Sequence, residues 1–387
     1  MHVVHHRRGV SSNVDCSNIR PPLRGHTIPP LVQQGNRCVA GAFGKLISPV
    51  NFHPNRHRVR EEVPLAPAPP APQIGDDEGV QLPDAVRRRI QERAEAVDFR
   101  ALASAAASIS DAYRAGRQVR IGGREGITAY LVARMPATYA ATHAVLGEVR
   151  RRLGEREVGS VLDIGAGAGA ASLAARQWFP AARLTLVERD AAMAAAARDW
   201  LPDAAFVNAD ISRAAPLGQH DLVVAAYSLG EIGSASGSRL WAAARVALVV
   251  VEPGTPHSFA VIRSLRAGLL AGGANMLAPC PAAFECPMPG TDWCHFAARV
   301  ERSSLHRKLK SGTLGYEDEK YSYVALSREP VVLPEARIIR HPQHSPGLVV
   351  LETCTAQGLH RREVRKRERA EYRVARHSSW GDAYAGI

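Results

Sequence analysis

The chain has 387 residues, 46% hydrophobic and 22% charged, which is enough apolar material for a sizeable buried core. Its formal charge of +12 does not determine a fold, but it favours polyanionic partners. No apolar run reaches the roughly 18 to 20 residues that a membrane span needs, so no membrane partner is expected, and the N-terminus has no apolar stretch of the secretory kind.

The charge is concentrated at the ends. Residues 1–60 hold nine Lys or Arg and one acid, Asp15, and residues 360–377 hold eight Arg or Lys against three Glu. Either run alone reads as a solvated end; two basic blocks flanking an enzyme-like core point to nucleic acid. The segment Val63-Pro-Leu-Ala-Pro-Ala-Pro-Pro-Ala-Pro72 has too few N–H groups for helix or sheet, so residues 1–80 are expected to be a disordered Pro/Arg-rich extension. Its Arg-rich, acid-poor composition also resembles an organellar transit peptide, and whether it belongs to the mature protein stays open. Heavy Ala and Arg usage points to a bacterial cytoplasm, with the mitochondrial matrix as the alternative.

Residues 81–157 read as a helical N-terminal subdomain. Apolar residues recur at Val86, Ile90, Ala94 and Val97, and further helices are predicted over 98–116, 124–134 and 137–153, the last opened by Pro136. The period then changes. Strands are predicted at Ser160–Ile164, Leu184–Glu188, Ala205–Asn208, Asp221–Tyr227 and Val246–Glu252, with helices between them. This alternation makes an α/β domain over 158–357 with a doubly wound parallel sheet. Tyr321–Ser327 and Gly347–Thr355 are expected to close its edge. Residues 255–320 are expected to be a cysteine-bearing insertion, and 358–387 a basic C-terminal tail.

At the end of the first predicted strand lies Asp163-Ile-Gly-Ala-Gly-Ala-Gly169. Glycines at 165, 167 and 169 allow a sharp strand-to-helix turn and a close ligand approach to the backbone. Asp163 is placed to orient that loop, Glu188 to accept from a ribose diol, and Asp210 to face an adenine amino group. Gly165 to Ala170 also fits the dinucleotide fingerprint, so a NAD-dependent oxidoreductase is an alternative. The full set, each member at a strand end, resembles the class I S-adenosylmethionine-dependent methyltransferase pattern, a Rossmann-like sheet.

Methyl transfer itself lacks a signature. After the fourth strand the chain reads Ala225-Ala-Tyr-Ser-Leu-Gly-Glu-Ile232, without an Asn/Asp-Pro-Pro-aromatic clamp, and no cysteine falls between 39 and 279. Tyr227 and Glu231 are the nearest polar groups; no catalytic residue is assigned. Of six cysteines, Cys280, Cys286, Cys294 and Cys354 all follow the fifth strand. Four thiolates there suit tetrahedral zinc or a [4Fe–4S] cluster, which would staple the turn-rich stretch 278–289.

Five strings carry a more specific likeness: Glu252-Pro-Gly-Thr-Pro256, Asp292-Trp-Cys-His-Phe296, Arg302-Ser-Ser-Leu-His-Arg-Lys-Leu-Lys310, Tyr316-Glu-Asp-Glu-Lys-Tyr-Ser-Tyr323 and Trp380-Gly-Asp382. Over roughly 80–382 the chain resembles the methyltransferase-like family of the mitochondrial small ribosomal subunit and its bacterial relatives. The resemblance implies a protein that assists small-subunit assembly or translation by contacting rRNA. It also implies a [4Fe–4S] site at Cys280, Cys286, Cys294 and Cys354, and a cofactor motif at the glycine loop. The alternative is an active rRNA methyltransferase with a zinc staple. His306, Arg307, Lys308 and Lys310 are expected to contact phosphates, as is the run Arg361–Arg376.

Overall fold

The apolar spacing of residues 84–153 builds four helices, α1 (Asp84–Glu95), α2 (Phe99–Arg114), α3 (Gly123–Ala133) and α4 (Met135–Leu153). This is a computed structural model that describes residues 79–114, 121–212, 217–233, 236–310 and 312–385; the expected extension up to residue 78, with Cys16 and Cys38, lies outside the described residues. Val86, Ile90 and Ala94 form the buried stripe of α1. Pro136 lies in the first turn of α4, where a missing N–H costs nothing, and Arg150, Arg151 and Arg152 face its negative end.

The main sheet contains β1 (Ser160–Ile164), β2 (Arg183–Glu188), β3 (Ala205–Asn208), β4 (His220–Ala226), β5 (Ala244–Pro253), β6 (Asn275–Ala278), β7 (Phe296–Glu301) and β8 (Tyr316–Ser327). Its order is β3-β2-β1-β4-β5-β8-β6, with β7 also on β8. The first five strands are parallel, and β8 runs antiparallel to β5, β6 and β7. Five parallel strands in the 3-2-1-4-5 order, followed by an antiparallel strand wedged between β5 and β6, make the expected Rossmann-like sheet of class I S-adenosylmethionine-dependent methyltransferases.

Strand side chains alternate between two cores. Val161, Leu222, Val224 and Val249 face α4, α5 (Ala170–Trp178) and α6 (Ala191–Arg198). Leu162, Ile164, Val223 and Val250 face α8 (Gly237–Ala243) and α9 (Pro256–Ala271). The short α7 (Leu229–Ile232) follows β4 and contains Glu231. Both faces are therefore covered, as a parallel sheet requires. No helix among the described residues is long and apolar enough to cross a membrane.

Three expectations change. The stretch 255–320, expected as an insertion, consists largely of elements of the fold: α9, β6, β7, α10 (Ser304–Lys310) and the start of β8 lie in it. Leu348–Thr355 does not close the main sheet. As β11 it is the centre of a second, five-stranded sheet with β9 (Ala336–Ile338), β10 (Gln343–Ser345), β12 (Gly358–Arg365) and β13 (Ala383–Tyr384). The basic tail accordingly folds as β12, α11 (Arg369–Ala375) and β13, around a core of Ile338, Val349, Leu351, Val364, Ala375 and Tyr384. Arg337 on β9 joins this sheet to the rest of the molecule. Its guanidinium donates to Glu148 on α4, to the Pro279 carbonyl and to the Gly381 carbonyl.

Candidate cofactor and metal sites

The first site is built by β1 and its turn. Gly165, Gly167 and Gly169 all take positive φ, at 66°, 54° and 80°. The amides of Gly165 and Ala166 donate to the Val187 carbonyl, which fixes the loop against β2. A Cβ at Gly165 would meet the Ser228 side chain at 2.7 Å, and one at Gly169 would meet Leu201 at 3.0 Å. At Gly167 a Cβ would have only ordinary contacts, with Met193 at 3.5 Å and the Tyr130 hydroxyl at 3.7 Å. Two glycines thus serve packing, and the middle one has room for a Cβ.

Three acids lie at or just past the ends of β1, β2 and β3. Asp163 is buried and accepts from the Ser172 hydroxyl on α5 at 2.7 Å; burial pushes its carboxyl up to about 6, against the pull of that bond. That bond ties β1 to α5. Glu188 accepts from the Gly167 amide and the Asp190 amide, both at 2.7 Å, and each oxygen keeps a lone pair for a further donor. Asp210 lies two residues past β3 and accepts from the Ser212 amide and hydroxyl at 3.0 and 2.6 Å. Asn208, paired in register with Glu188, ties the two strand ends by donating to the Glu188 and Arg189 carbonyls.

Next to the loop lies Tyr227, which the sequence singles out, with partners that sequence reasoning missed. Tyr227 is the one non-glycine residue with positive φ among the described residues, at 56°. Its hydroxyl donates to Glu319 on β8 at 2.9 Å, and Arg134, at the α3–α4 junction, approaches the same oxygen at 3.4 Å. Tyr130 on α3 and Arg134 at its C-terminal cap are four residues apart, so this helix end approaches both Gly167 and Glu319. The residues come from three distant segments with no common motif; only the i, i+4 spacing on α3 could have hinted at it.

The second site is a cavity of about 40 Å³ lined by Cys280, Cys286, Cys294 and Cys354 together with Phe259 and Met288. All four are free thiols. Burial raises the Cys280, Cys294 and Cys354 thiols, the last to about 12, and the neighbouring sulfurs raise them further. The loop that carries Cys280 and Cys286 is held through its carbonyls. Arg263 donates to Met288 and Cys286, both at 2.9 Å; Arg266 donates to Ala282 and Phe284; Arg337 donates to Pro279. Three guanidiniums therefore brace a loop that lacks its own secondary structure, and they supply positive charge beside the sulfurs. No group of three or more His, Cys, Asp or Glu among the described residues is arranged to hold a metal ion.

The expected phosphate-binding residues separate. His306 is 1% exposed, beneath α10, with its Nε2 3.4 Å from Glu317. Lys310 donates to both Glu317 oxygens at 2.9 Å, and Arg302 joins them at 2.5 Å. Arg307 and Lys308 remain exposed on α10, with no ion pair among the described residues.

A family model described as mitochondrial small ribosomal subunit Rsm22 matches residues 124–385. The chain belongs to that family. The match runs through the glycine loop, α10 and all four cysteines of the cavity. The human mitochondrial ribosome assembly protein METTL17 is 28% identical to this Rsm22-family chain over 292 residues, which are 67% of this chain and 62% of that protein. The chain thus spans less than two thirds of that relative's length. Trans-aconitate 2-methyltransferase of Escherichia coli is 40% identical over 82 residues, 21% of this chain and 32% of the enzyme. Among solved structures, the plantazolicin methyltransferase BpumL in complex with SAH covers 63% of this chain and 100% of its own, at 13% identity and a TM-score of 0.35.

Proposed function

We propose that this Rsm22-family chain acts in assembly of the small ribosomal subunit by binding its rRNA, with S-adenosylmethionine held at the glycine loop and a [4Fe–4S] cluster held by the four cysteines. The observation that carries the reading is that a small-subunit family match spans a cofactor-type loop and four cysteines, 74 residues apart at the extremes, that the fold brings to one cavity. In this reading Gly167 admits the ligand backbone contact, Glu188 accepts from the ribose hydroxyls, Asp210 takes the adenine side, and Arg307 and Lys308 meet phosphates. When bound, S-adenosylmethionine supplies an activated methyl group.

The donor set fits such a group: four cysteines line one cavity, and Arg266 and Arg337 beside Cys280 offset the charge of thiolates. Zinc, which takes the same four thiolates, is the alternative. Anaerobic purification tests this: a brown protein with stoichiometric iron and sulfide is expected, and a colourless zinc protein rejects it. Cosedimentation with small subunits tests the assembly role. Calorimetry that shows NADH binding without S-adenosylmethionine binding rejects the cofactor reading. The human relative's mitochondrial placement supports the matrix over the bacterial cytoplasm.

Active methyl transfer to rRNA is a second reading, favoured by the strained backbone of Tyr227 beside the loop. An rRNA modification profile that is identical with and without the protein rejects it.

A further inference from the structure

The run from His360 to His377 holds eight Arg or Lys against three Glu, and the fold sorts these charges. Arg362 on β12 donates to Glu371 at 2.9 and 2.5 Å and to Glu368 at 2.8 Å. Arg361 and Arg365 flank Glu363 at 2.7 and 3.1 Å. The Tyr384 hydroxyl donates to Glu371 at 2.9 Å. Every acid of the run is thus consumed inside the second sheet.

Five cations are left over. Lys366, Arg367, Arg369, Arg373 and Arg376 are exposed and form no ion pair among the described residues. Arg369, Arg373 and Arg376 recur at i, i+4 and i+7 along α11 and its C-terminal cap, a stripe about 10 Å long on one side of the helix. Lys366 and Arg367 extend it into the preceding turn. Seven residues are too few for a helix that stands alone. This one is docked by Ala375 on the core and by the Arg362 carboxylate clamp, so the stripe is carried on a fixed surface.

We propose that this stripe is a second RNA contact, separate from α10, that grips the sugar–phosphate backbone without reading bases. The inference rests on the RNA-binding reading above. Guanidinium forks match phosphate oxygens in pairs. Tyr372, the only aromatic residue of α11, is half-buried against the core, so the helix itself presents no exposed ring on which a base could stack. A membrane surface would need an apolar face on the helix, and α11 has one exposed large apolar residue, Val374 at 54%.

The test is a salt series of binding to a small-subunit rRNA fragment by the full chain, comparing wild type, R369E/R373E/R376E, the charge-retaining triple Lys variant and R307E/K308E. Each lost phosphate contact reduces the slope of log K against log salt by about 0.7–0.9. The reversal triple is expected to flatten the slope by about 2 and weaken binding at least tenfold at low salt, while thermal unfolding stays unchanged and the triple Lys variant keeps the slope. Should the reversal triple fail to fold, the triple Gln variant is read instead. An unchanged slope in the folded reversal or Gln triple overturns the proposal, as does stripe-dependent capture of anionic vesicles with RNA binding unaffected. Salt-insensitive or absent RNA binding by wild type sinks the RNA-binding reading itself; loss confined to R307E/K308E sinks only the second contact.

Discussion

Arg337 Nη2 donates to Glu148 Oε1 across 2.6 Å, with Arg337 only 3% exposed, and so bolts α4 to the second sheet. Burial alone would raise the Glu148 carboxyl, but Arg337, Arg151 and Arg152 outweigh it and hold it down at about 2. Removing one partner from a buried pair costs about 3–5 kcal/mol. Arg337→Met is therefore expected to lose stability of that order in urea unfolding, because it also strips a donor from the Pro279 and Gly381 carbonyls. A loss below about 1 kcal/mol would show that the brace is dispensable.

The same pair sets an acid limb. A depressed carboxyl contributes fully above its unfolded value of 4.5, and its contribution is lost as pH falls toward about 2. The shift corresponds to about 3 kcal/mol. Wild-type stability should drop across that window by this order, and Arg337→Met should show a shallower acid limb in the same pH series.

The two glycines that face different neighbours should fail differently. Gly165→Ala combines strain at φ 66° with the 2.7 Å approach to Ser228 and should destabilise by about 2–4 kcal/mol. Gly167→Ala carries the φ strain alone, about 1–2 kcal/mol, yet it should weaken S-adenosylmethionine binding more than tenfold in calorimetry. Equal affinities for wild type and Gly167→Ala would remove the loop from the binding site.

His306 and its neighbours should separate structure from binding. His306→Ala is expected to cost about 1–3 kcal/mol, since it removes a buried group beside Glu317, and to leave the salt slope of RNA binding unchanged. Arg307→Glu with Lys308→Glu should flatten that slope by about 1.5 without a change in thermal midpoint. A slope that follows His306 instead would contradict its burial.

Cys294→Ser and Cys354→Ser are each expected to abolish visible charge-transfer absorbance in anaerobic protein and to lower the thermal midpoint. Arg266→Met, which leaves every sulfur in place but drops two carbonyl bonds to the cysteine loop, should reduce iron content only partly. Full iron retention in Cys294→Ser would exclude it as a ligand.

The first five strands and the four leading helices were legible because their apolar period is uninterrupted, as in the continuous run from Val246 to Val251, and because Pro136 and the three glycines mark turns. The second sheet was not. On β12 a single apolar residue, Val364, faces the core amid Arg361, Arg362 and Arg365, so composition reads as tail while the pleat reads as strand. His306 was hidden for the opposite reason. Within Arg302–Lys310 it looks like one more cation, and only Glu317, carried back by β8, reveals an inward-facing group. Local pattern reports periodicity; it does not report which distant carboxylate arrives.

β8 has a consequence for how the chain is made. Its first half pairs with β7 and its second half with β5 and β6, so one strand closes three others. Until residues 316–327 leave the ribosome, β5 keeps an open edge, and its Leu248–Val251 run is a template for pairing with another chain. Such non-local closure is slow. A nascent chain stalled before residue 316 should therefore depend on chaperones far more than one released after residue 327.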